Sequence, residues 1–238
     1  MTEELFREDA TLTRCEASVL RHDDSGVLLD RTVCYPMGGG QAGDRGELLL
    51  ADGTRLEIID TRKGPQPGEI LHLLQQPAGA QRLPPGTPVS VRIDEPRRQA
   101  HRRFHTATHL LCALVPHPVD GCSITADYAR LDFHMTEPLD KEALTAGIRR
   151  LVDEAHPVRH RWISEAELDA QPQLVRSMSA QPPRGQGRVR VLEIEGVDLQ
   201  PCGGTHVSNT AEIGAVVVTK IEKKSARTRR VVLGFAAG

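Results

Sequence analysis

Short apolar stretches separated by turn residues occupy the first part of the chain, from about Leu12 to Val91. The stretches fall at residues 18–21, 27–30, 47–50, 56–59, 69–74 and 89–93. Glycine, proline and aspartate stand between them, as in Asp52-Gly53 and Pro85-Gly86. Several short strands joined by turns are typical of a small β-barrel or sandwich, and no long helix fits this region.

A different period begins after Pro96, where apolar side chains recur every three to four residues. They are Phe104, Ala107, Leu111, Leu114 and Val115. This spacing predicts an amphipathic helix that ends at Pro116. A second helix is predicted over 140–154, and a short one over 165–168 with Ser164 as its N-cap.

Further strands are predicted at residues 129–134, 158–163, 189–194, 215–220 and 229–235. Helices mixed with strands in no strict βαβ order indicate an α+β fold with a largely antiparallel sheet. We therefore expect a β-barrel-like domain over residues 1–95, followed by an α+β domain over residues 96–238.

The composition allows packed cores and excludes several classes of protein. Hydrophobic residues make up 39% of the 238, which excludes a disordered chain, and an aromatic share of 3% argues against a platform that stacks single-stranded bases. No apolar run reaches the roughly 20 residues that span a bilayer, and the first residues are too acidic for a signal or transit peptide. We expect a cytoplasmic protein with no membrane contact, whose five cysteines are thiols.

The net charge of −2 conceals an asymmetry along the chain. Residues 1–90 carry 9 of the 30 Lys and Arg and 14 of the 32 Asp and Glu, so the remaining 21 and 18 give residues 91–238 a net charge of +3. Basic groups cluster there at Arg97, Arg98, Arg102 and Arg103, and at Lys220, Lys223, Lys224, Arg227, Arg229 and Arg230. Either run is a phosphate-binding surface or a solvated charged face.

Two pairs of possible metal ligands are the strongest chemical signal. His105 and His109 are four residues apart on the predicted helix, so both imidazoles project from one face. Cys202 and His206 repeat that spacing, and the two glycines between them allow a tight turn. Three nitrogens and one thiolate suit zinc better than magnesium or calcium, which prefer oxygen ligands.

The identity of neighbouring residues excludes two kinds of zinc enzyme. A zincin peptidase needs glutamate directly after the first histidine, where this chain has Thr106. Deaminase-like sites need a His-x-Glu and a Cys-x-x-Cys, and the chain has neither. A purely structural zinc with four protein ligands stays open.

Other reactive side chains have plain structural interpretations. His101 precedes His105 by one turn, and we expect it on the surface. Cys112 and Cys122 are expected to be small buried apolar residues. Asp132 is expected to orient its strand or a ligand histidine, and not to act as a base.

Six sequence motifs together resemble the free-standing alanyl-tRNA editing proteins of the AlaX type, which are akin to the editing domain of alanyl-tRNA synthetase. The motifs cover residues 35–44, 105–111, 129–133, 182–185, 201–207 and 214–224. The resemblance implies a β-barrel-like domain that carries the glycine motif and an α+β editing domain. It also implies hydrolysis of the ester that joins serine or glycine to the terminal adenosine of tRNA(Ala).

The resemblance also assigns individual residues. His105, His109, Cys202 and His206 match the zinc ligands, and Thr108 matches a threonine that lines the editing pocket. The segment Gly38-Gly39-Gly40-Gln41 matches the glycine-rich motif, which implies substrate contacts by the glycines and a catalytic part for Gln41. It would lie near the active site across the domain interface. The C-terminal basic run would contact tRNA.

Discrimination between serine and alanine requires a partner for one hydroxyl group. A site built to hydrogen-bond that hydroxyl rejects the analogue that lacks it by about four orders of magnitude. Thr108, Ser123 and Thr125 are the candidates, and Ser123 is preferred. Two rival hypotheses remain, an RNA-binding module with a structural zinc and a metal hydrolase of small esters or amides. The oligomeric state stays open.

Overall fold

The computed structural model describes residues 1–75, 82–178, 182, 185 and 187–236. The chain forms two compact units, Met1–Gly38 with Ala42–Gln99 and Gly39–Gln41 with Ala100–Gly238. Pro183 and Arg184 of the fourth motif lie outside the described residues. Among the helices that the structure describes, none is long and apolar enough to cross a membrane.

The first unit contains a small β-barrel. Its described strands are β1 (Glu3–Glu4), β2 (Arg14–Asp23), β3 (Gly26–Leu29), β4 (Arg31–Thr32), β5 (Gly46–Leu50), β6 (Arg55–Lys63), β7 (Ile70–Leu74) and β8 (Pro88–Ile93). Six of them close the barrel through antiparallel pairs, in the order β2-β3-β7-β6-β5-β8, while β1 pairs with β4 in parallel. Each predicted apolar stretch overlaps one of these six strands, so the prediction of a β-rich region is confirmed.

Aliphatic side chains fill the barrel, as the low aromatic content requires. The side chains that are at most 2% exposed include Val19, Val27, Leu29, Leu48, Ile58, Val89 and Val91. Branched side chains pack well on the pleated inner face, and closure leaves these six strands without a free edge.

The second unit combines two antiparallel sheets with helices. Its described elements, the first of which begins before Ala100, are α1 (Glu95–Leu114), β9 (Val119–Ile124), β10 (Ala129–His134), α2 (Lys141–Asp153), β11 (Val158–Ser164), α3 (Glu165–Asp169), β12 (Arg188–Ile194), β13 (Asp198–Pro201), β14 (Val216–Ser225) and β15 (Thr228–Phe235). The strand orders are β14-β15-β10-β9 and β11-β12-β13. The predicted α+β fold is confirmed.

Local capping sets where the two shorter helices begin. The carboxylate of Asp140 accepts the N–H of Ala143 at 2.8 Å, so α2 starts directly after it. Ser164 and Glu167 form a capping box at α3, which confirms the predicted cap. Four described strands escaped prediction: β1 and β4, which have two residues each, and β9 and β13, which are rich in small or polar residues.

Helix α1 is buried over most of its length. Between residues 101 and 112 every side chain is buried except Arg103. Phe104, Leu110 and Leu111 join the core of the second unit. The polar residues of this helix therefore lose their contact with water, and each needs a protein partner.

A buried histidine stands in the wall of the barrel. The Nδ1 of His72 lies 3.0 Å from the carbonyl oxygen of Val27, and its Nε2 lies 2.8 Å from the hydroxyl oxygen of Thr32. Burial lowers the pKa of His72 to about 4, although the Val27 hydrogen bond opposes this shift. The imidazole is therefore neutral near pH 7.

We predict that acid destabilises the protein through His72. The unfolded chain takes up a proton near pH 6.5 and the folded one only near pH 4, so folding stability falls as the pH drops through that window. The loss at pH 4.5 relative to pH 7.5 is about 2–3 kcal/mol. Urea unfolding of the native sequence and of His72→Gln at both pH values measures it.

The control for this prediction is His160→Gln, which changes an exposed histidine. The His72→Gln variant is expected to be less stable at pH 7.5 but to lose about 2–3 kcal/mol less on acidification than the native protein or the control. Equal losses in all three proteins would contradict the assignment.

Candidate metal centre

Helix α1 presents two donors on one buried face. His105 and His109 are four residues apart, and their ring centroids are 5.7 Å apart. Both imidazoles are more than nine-tenths buried. The helix backbone alone fixes this spacing, as the sequence pattern indicated.

The second pair of donors lies in irregular backbone directly after β13. We define the donor loop as residues 202–206, with Cys202 at its start and His206 at its end. A β-carbon at Gly204 would overlap the imidazole of His105 and lie 3.1 Å from Oε1 of Gln41. Glycine is therefore required at this position, because the loop passes directly against the helix.

The four donor atoms converge on one point. The ligand atoms of His105, His109, Cys202 and His206 all lie within 4.8 Å of one another. The Cys202 sulfur is 3.5 Å from Nε2 of His105 and 3.2 Å from Nε2 of His206. Tetrahedral zinc, with bonds of about 2.0–2.3 Å, places its ligand atoms roughly 3.3–3.7 Å apart. The arrangement fits a metal ion of this kind.

Each of the three histidines has an oxygen acceptor at Nδ1. His105 Nδ1 is 2.8 Å from Oε1 of Gln41, and His109 Nδ1 is 2.8 Å from Oδ2 of Asp198. His206 Nδ1 is 3.2 Å from Oγ1 of Thr106. A proton held at Nδ1 leaves the Nε2 lone pair for a metal, so these acceptors select the ligating tautomer.

The charges of the cluster favour a cation. Burial raises the pKa of the Cys202 thiol, but the nearby His105 and His206 hold it well below its ordinary value. Burial lowers the pKa of His109, yet its hydrogen bonds with Asp198 and Cys202 raise it to about 10. Burial and His105 keep the pKa of His206 low. The lowered pKa of Cys202 favours the thiolate, which is the form that binds a metal, and a metal would displace the proton that the raised pKa of His109 favours.

Gln41 is the member of the glycine-rich motif that reaches the donors. It is fully buried, and its Oε1 also accepts the backbone N–H of Thr205 at 3.1 Å. Its Nε2 donates to the hydroxyl oxygen of Thr205 at 2.9 Å. One amide side chain thereby holds His105 and the donor loop together.

The glycines of this motif separate between the two units. Gly39 and Gly40 belong to the second unit, whereas Gly38 belongs to the first and accepts the Tyr35 hydroxyl at 2.8 Å. The carbonyl of Gly40 accepts the N–H of Ile124 at 2.7 Å. With φ at +86°, and with a β-carbon that would lie 2.7 Å from the Cys122 sulfur, position 40 requires glycine.

The three candidate hydroxyls lie in different settings. Thr108 is buried beside the ligands, and its hydroxyl donates to the carbonyl of His105 at 2.7 Å. The hydroxyl of Thr125 accepts the N–H of Tyr128 at 3.1 Å and stabilises the turn between β9 and β10. Ser123 lies between Cys122 and Ile124, which face the core, so strand alternation directs it to the opposite face of the sheet. The structure brings only Thr108 next to the donors.

The C-terminal basic run divides into exposed and committed side chains. Lys220, Lys223, Lys224 and Arg227 are exposed on β14 and on the turn that follows it. Arg229 is 8% exposed and donates to the carbonyls of Ser225, Thr228 and Thr136. Arg230 forms an ion pair with Asp132 at 2.7 Å.

Three of the helix arginines have structural partners. Arg98 forms a buried ion pair with Asp44 in the first unit, with Nε 3.1 Å from Oδ2. Arg102 donates to the carbonyl of His206, and Arg103 to the carbonyl of Ile213, each at 2.8 Å. These contacts favour a structural role over phosphate binding.

The expectation for His101 was wrong. His101 is fully buried, because α1 is covered also on the face that its sequence pattern left polar. Asp132 bonds to Arg130 and Arg230 on the sheet, and Asp198 orients a ligand histidine instead. Asp198 was missed by sequence reasoning. The only sequence signal for Asp198 is its position, four residues before Cys202.

Comparison with known proteins agrees with this architecture. The family described as threonyl and alanyl tRNA synthetase second additional domain matches residues 189–232, and class II (A) tRNA synthetases match residues 7–97. The alanyl-tRNA editing protein AlaX-M of Methanosarcina barkeri is 33% identical over 97% of this chain and 98% of its own. AlaX-M of Saccharolobus solfataricus is 32% identical over the same shares.

A much longer relative contains the same region. The alanine–tRNA ligase of Pyrococcus furiosus is 32% identical over all of this chain, which corresponds to 26% of the ligase. The matched residues 189–232, which include two of the four donors, thus resemble the second additional domain of threonyl and alanyl tRNA synthetases. With its match to AlaX-M along nearly the full length of both chains, the chain belongs to the family of alanyl-tRNA editing proteins.

We predict that Asp198 governs metal affinity through His109. Replacing Asp198 by Ala removes the acceptor at Nδ1, and loss of such a partner costs about 10–100-fold in affinity. Competition for Zn²⁺ with a chromophoric chelator measures the dissociation constant. Asp132→Asn is the matched control, because it changes a carboxylate that bonds to arginines on the sheet. An equal loss of affinity in both variants would contradict the role of Asp198.

Proposed function

We propose that this protein is a trans-editing hydrolase that removes serine, or glycine, from mischarged tRNA(Ala) with the help of Zn²⁺. The observation that carries the proposal is the cluster of four preorganised donors, three buried and Cys202 partly buried, in a chain of the alanyl-tRNA editing family. A cytoplasmic location remains a prediction from the sequence.

The four donors would hold the ion, and the chain already orients them. Gln41, Thr106 and Asp198 keep the three imidazoles in the ligating tautomer. When bound by all four donors, zinc would supply a fixed positive charge, and it would act as a Lewis acid on water or on the ester only with a further coordination position open. The Cys202 thiolate would balance part of the charge of the ion.

The reaction itself demands little of the side chains. An aminoacyl ester is already activated, so hydrolysis needs a carbonyl that is held in place and one water set beside it. The Thr108 hydroxyl donates a hydrogen bond to the carbonyl of His105. The oxygen of this hydroxyl can therefore still accept a hydrogen bond from the substrate. We assign no side chain as general base.

Selection of serine over alanine is proposed to depend on such an acceptor. Thr108 is the candidate whose hydroxyl forms a hydrogen bond with the backbone of a donor residue, His105. The Thr125 hydroxyl forms hydrogen bonds within a turn. Ser123 lies on the face of β9 opposite that of Cys122 and Ile124. Ser123 stays a prediction, and it is tested beside Thr108 in the assay below.

Contact with tRNA is proposed for the exposed part of the basic run. Lys220, Lys223, Lys224 and Arg227 are free to meet phosphates, although Lys220 is also 2.7 Å from Glu222. Arg229 and Arg230 would then act indirectly, because their bonds to carbonyls and to Asp132 shape the β14–β15 hairpin.

The editing reaction is tested by release of serine from seryl-tRNA(Ala), with alanyl-tRNA(Ala) as the control substrate. We expect fast loss of serine alone, abolished in Cys202→Ala. Replacing Thr108 by Val is expected to reduce the preference for serine about tenfold, because the hydroxyl of the substrate's serine then has no hydrogen-bond partner. The same preference is measured for Ser123→Ala.

The result that would overturn editing is no release above background while tRNA still binds. Such a protein would be the RNA-binding module with a structural zinc. Circular dichroism of Cys202→Ala confirms that a loss of activity does not come from loss of the fold. Release of both amino acids at equal rates would contradict the proposed selectivity.

We predict that the exposed basic residues act on binding and not on the chemical step. The triple change Lys223→Gln, Lys224→Gln and Arg227→Gln is expected to raise KM for seryl-tRNA(Ala) about tenfold at unchanged kcat. It should also reduce the slope of log K against log salt by about 2 to 3, as three lost phosphate contacts require. Lys141→Gln, an exposed lysine at the start of α2, is the control. An unchanged salt slope would contradict these contacts.

A further inference from the structure

The donor loop lacks the support that secondary structure gives the other two ligands. His105 and His109 are held apart by the hydrogen bonds of α1. Cys202 and His206 are also four residues apart, but residues 202–206 form neither helix nor strand. A metal site of low strain needs these two donors at a fixed separation, so other contacts must set the path of the loop.

A buried arginine from β12 binds the first half of the loop. Nη1 of Arg190 donates to the carbonyl of Cys202 at 2.9 Å and to the carbonyl of Gly204 at 3.3 Å. The carbonyl of Arg190 in turn accepts the N–H of Cys202 at 3.1 Å. The residue is 7% exposed, so the guanidinium meets these carbonyls away from bulk water.

A second buried arginine, from α1, binds the other end of the loop. Nε of Arg102 donates to the carbonyl of His206 at 2.8 Å, and this residue is 8% exposed. Thr106, one turn further along the helix, accepts the N–H of Val207 at 3.3 Å. The face of α1 that provides two ligands therefore also fixes where the loop ends.

We propose that Arg102 and Arg190 are positioning residues that set the separation of Cys202 and His206 before a metal binds. Hydrogen bonds from a charged donor are shorter and stronger than neutral ones, and their strength grows away from water. Together the two arginines occupy the carbonyls of Cys202, Gly204 and His206, which are alternate residues of the donor loop. The inference rests on the proposal that the four donors hold a metal ion.

The test measures metal affinity and ligand geometry in the full chain. Zn²⁺ dissociation constants come from competition with a chromophoric chelator, and the Co²⁺ form reports the thiolate through its sulfur-to-metal absorption band. Arg190→Gln is expected to bind Zn²⁺ about 10–100-fold more weakly and to show a weakened band. Arg190→Lys keeps the positive charge and can still donate a hydrogen bond to one of the carbonyls. We expect it to recover part of the Zn²⁺ affinity and part of the cobalt band.

Arg188→Gln is the matched control. It lies on the same strand two residues earlier, with its guanidinium 4.5 Å from the Trp162 ring centroid, and it should leave both signals unchanged. Arg102→Gln is the second variant, and it keeps the test valid where Arg190→Gln does not fold. It is expected to weaken Zn²⁺ binding through the His206 end of the loop.

The outcomes separate the two proposals. A native protein that binds no Zn²⁺ would overturn the proposed metal centre, and the positioning role with it. A native protein that binds Zn²⁺, together with folded arginine variants of equal affinity and an unchanged cobalt band, would overturn the positioning role alone. An equal loss of affinity in Arg188→Gln would also overturn it, since charge and not position would then be responsible.

Discussion

The donor cluster depends on one constraint: three imidazole rings must present the same nitrogen to one point. A histidine does so only when its other nitrogen has an acceptor, and burial makes an unsatisfied ring nitrogen costly. The acceptors are Gln41, Thr106 and Asp198, which come from widely separated places in the sequence. The fold is needed to assemble them, because no local segment contains both a ligand and all of its supports.

Helix α1 is the element on which most of this assembly converges. It contributes His105 and His109 as donors, Thr106 as an acceptor, and Arg102 as a contact to the donor loop. An amphipathic helix normally turns its polar face to water, whereas this one is buried over nearly the whole stretch from 101 to 112. Its polar residues are tolerated because the side chains and carbonyls around them provide partners.

Much of the fold follows from local sequence signals. The barrel strands, α1, α2 and the Ser164 cap were predicted from periodicity and turn residues, and the four donors from spacing alone. Strands β9 and β13 were missed, because polar and small residues in them carry no alternation, and their partners decide their conformation. Asp198 was missed and His101 was placed on the surface for a related reason. Burial of one helix face and the position of one carboxylate are tertiary facts that no window of neighbouring residues contains.

The most direct test of this account is X-ray absorption at the zinc edge of the loaded native protein. Three imidazole nitrogens at about 2.0–2.1 Å and one sulfur at about 2.3 Å are predicted, from the three Nε2 atoms and the Cys202 thiolate. The same measurement on Cys202→Ala should show the sulfur shell lost. A native spectrum without sulfur, or one fitted by oxygen ligands in place of the histidines, would contradict the convergence of donors on which the account depends.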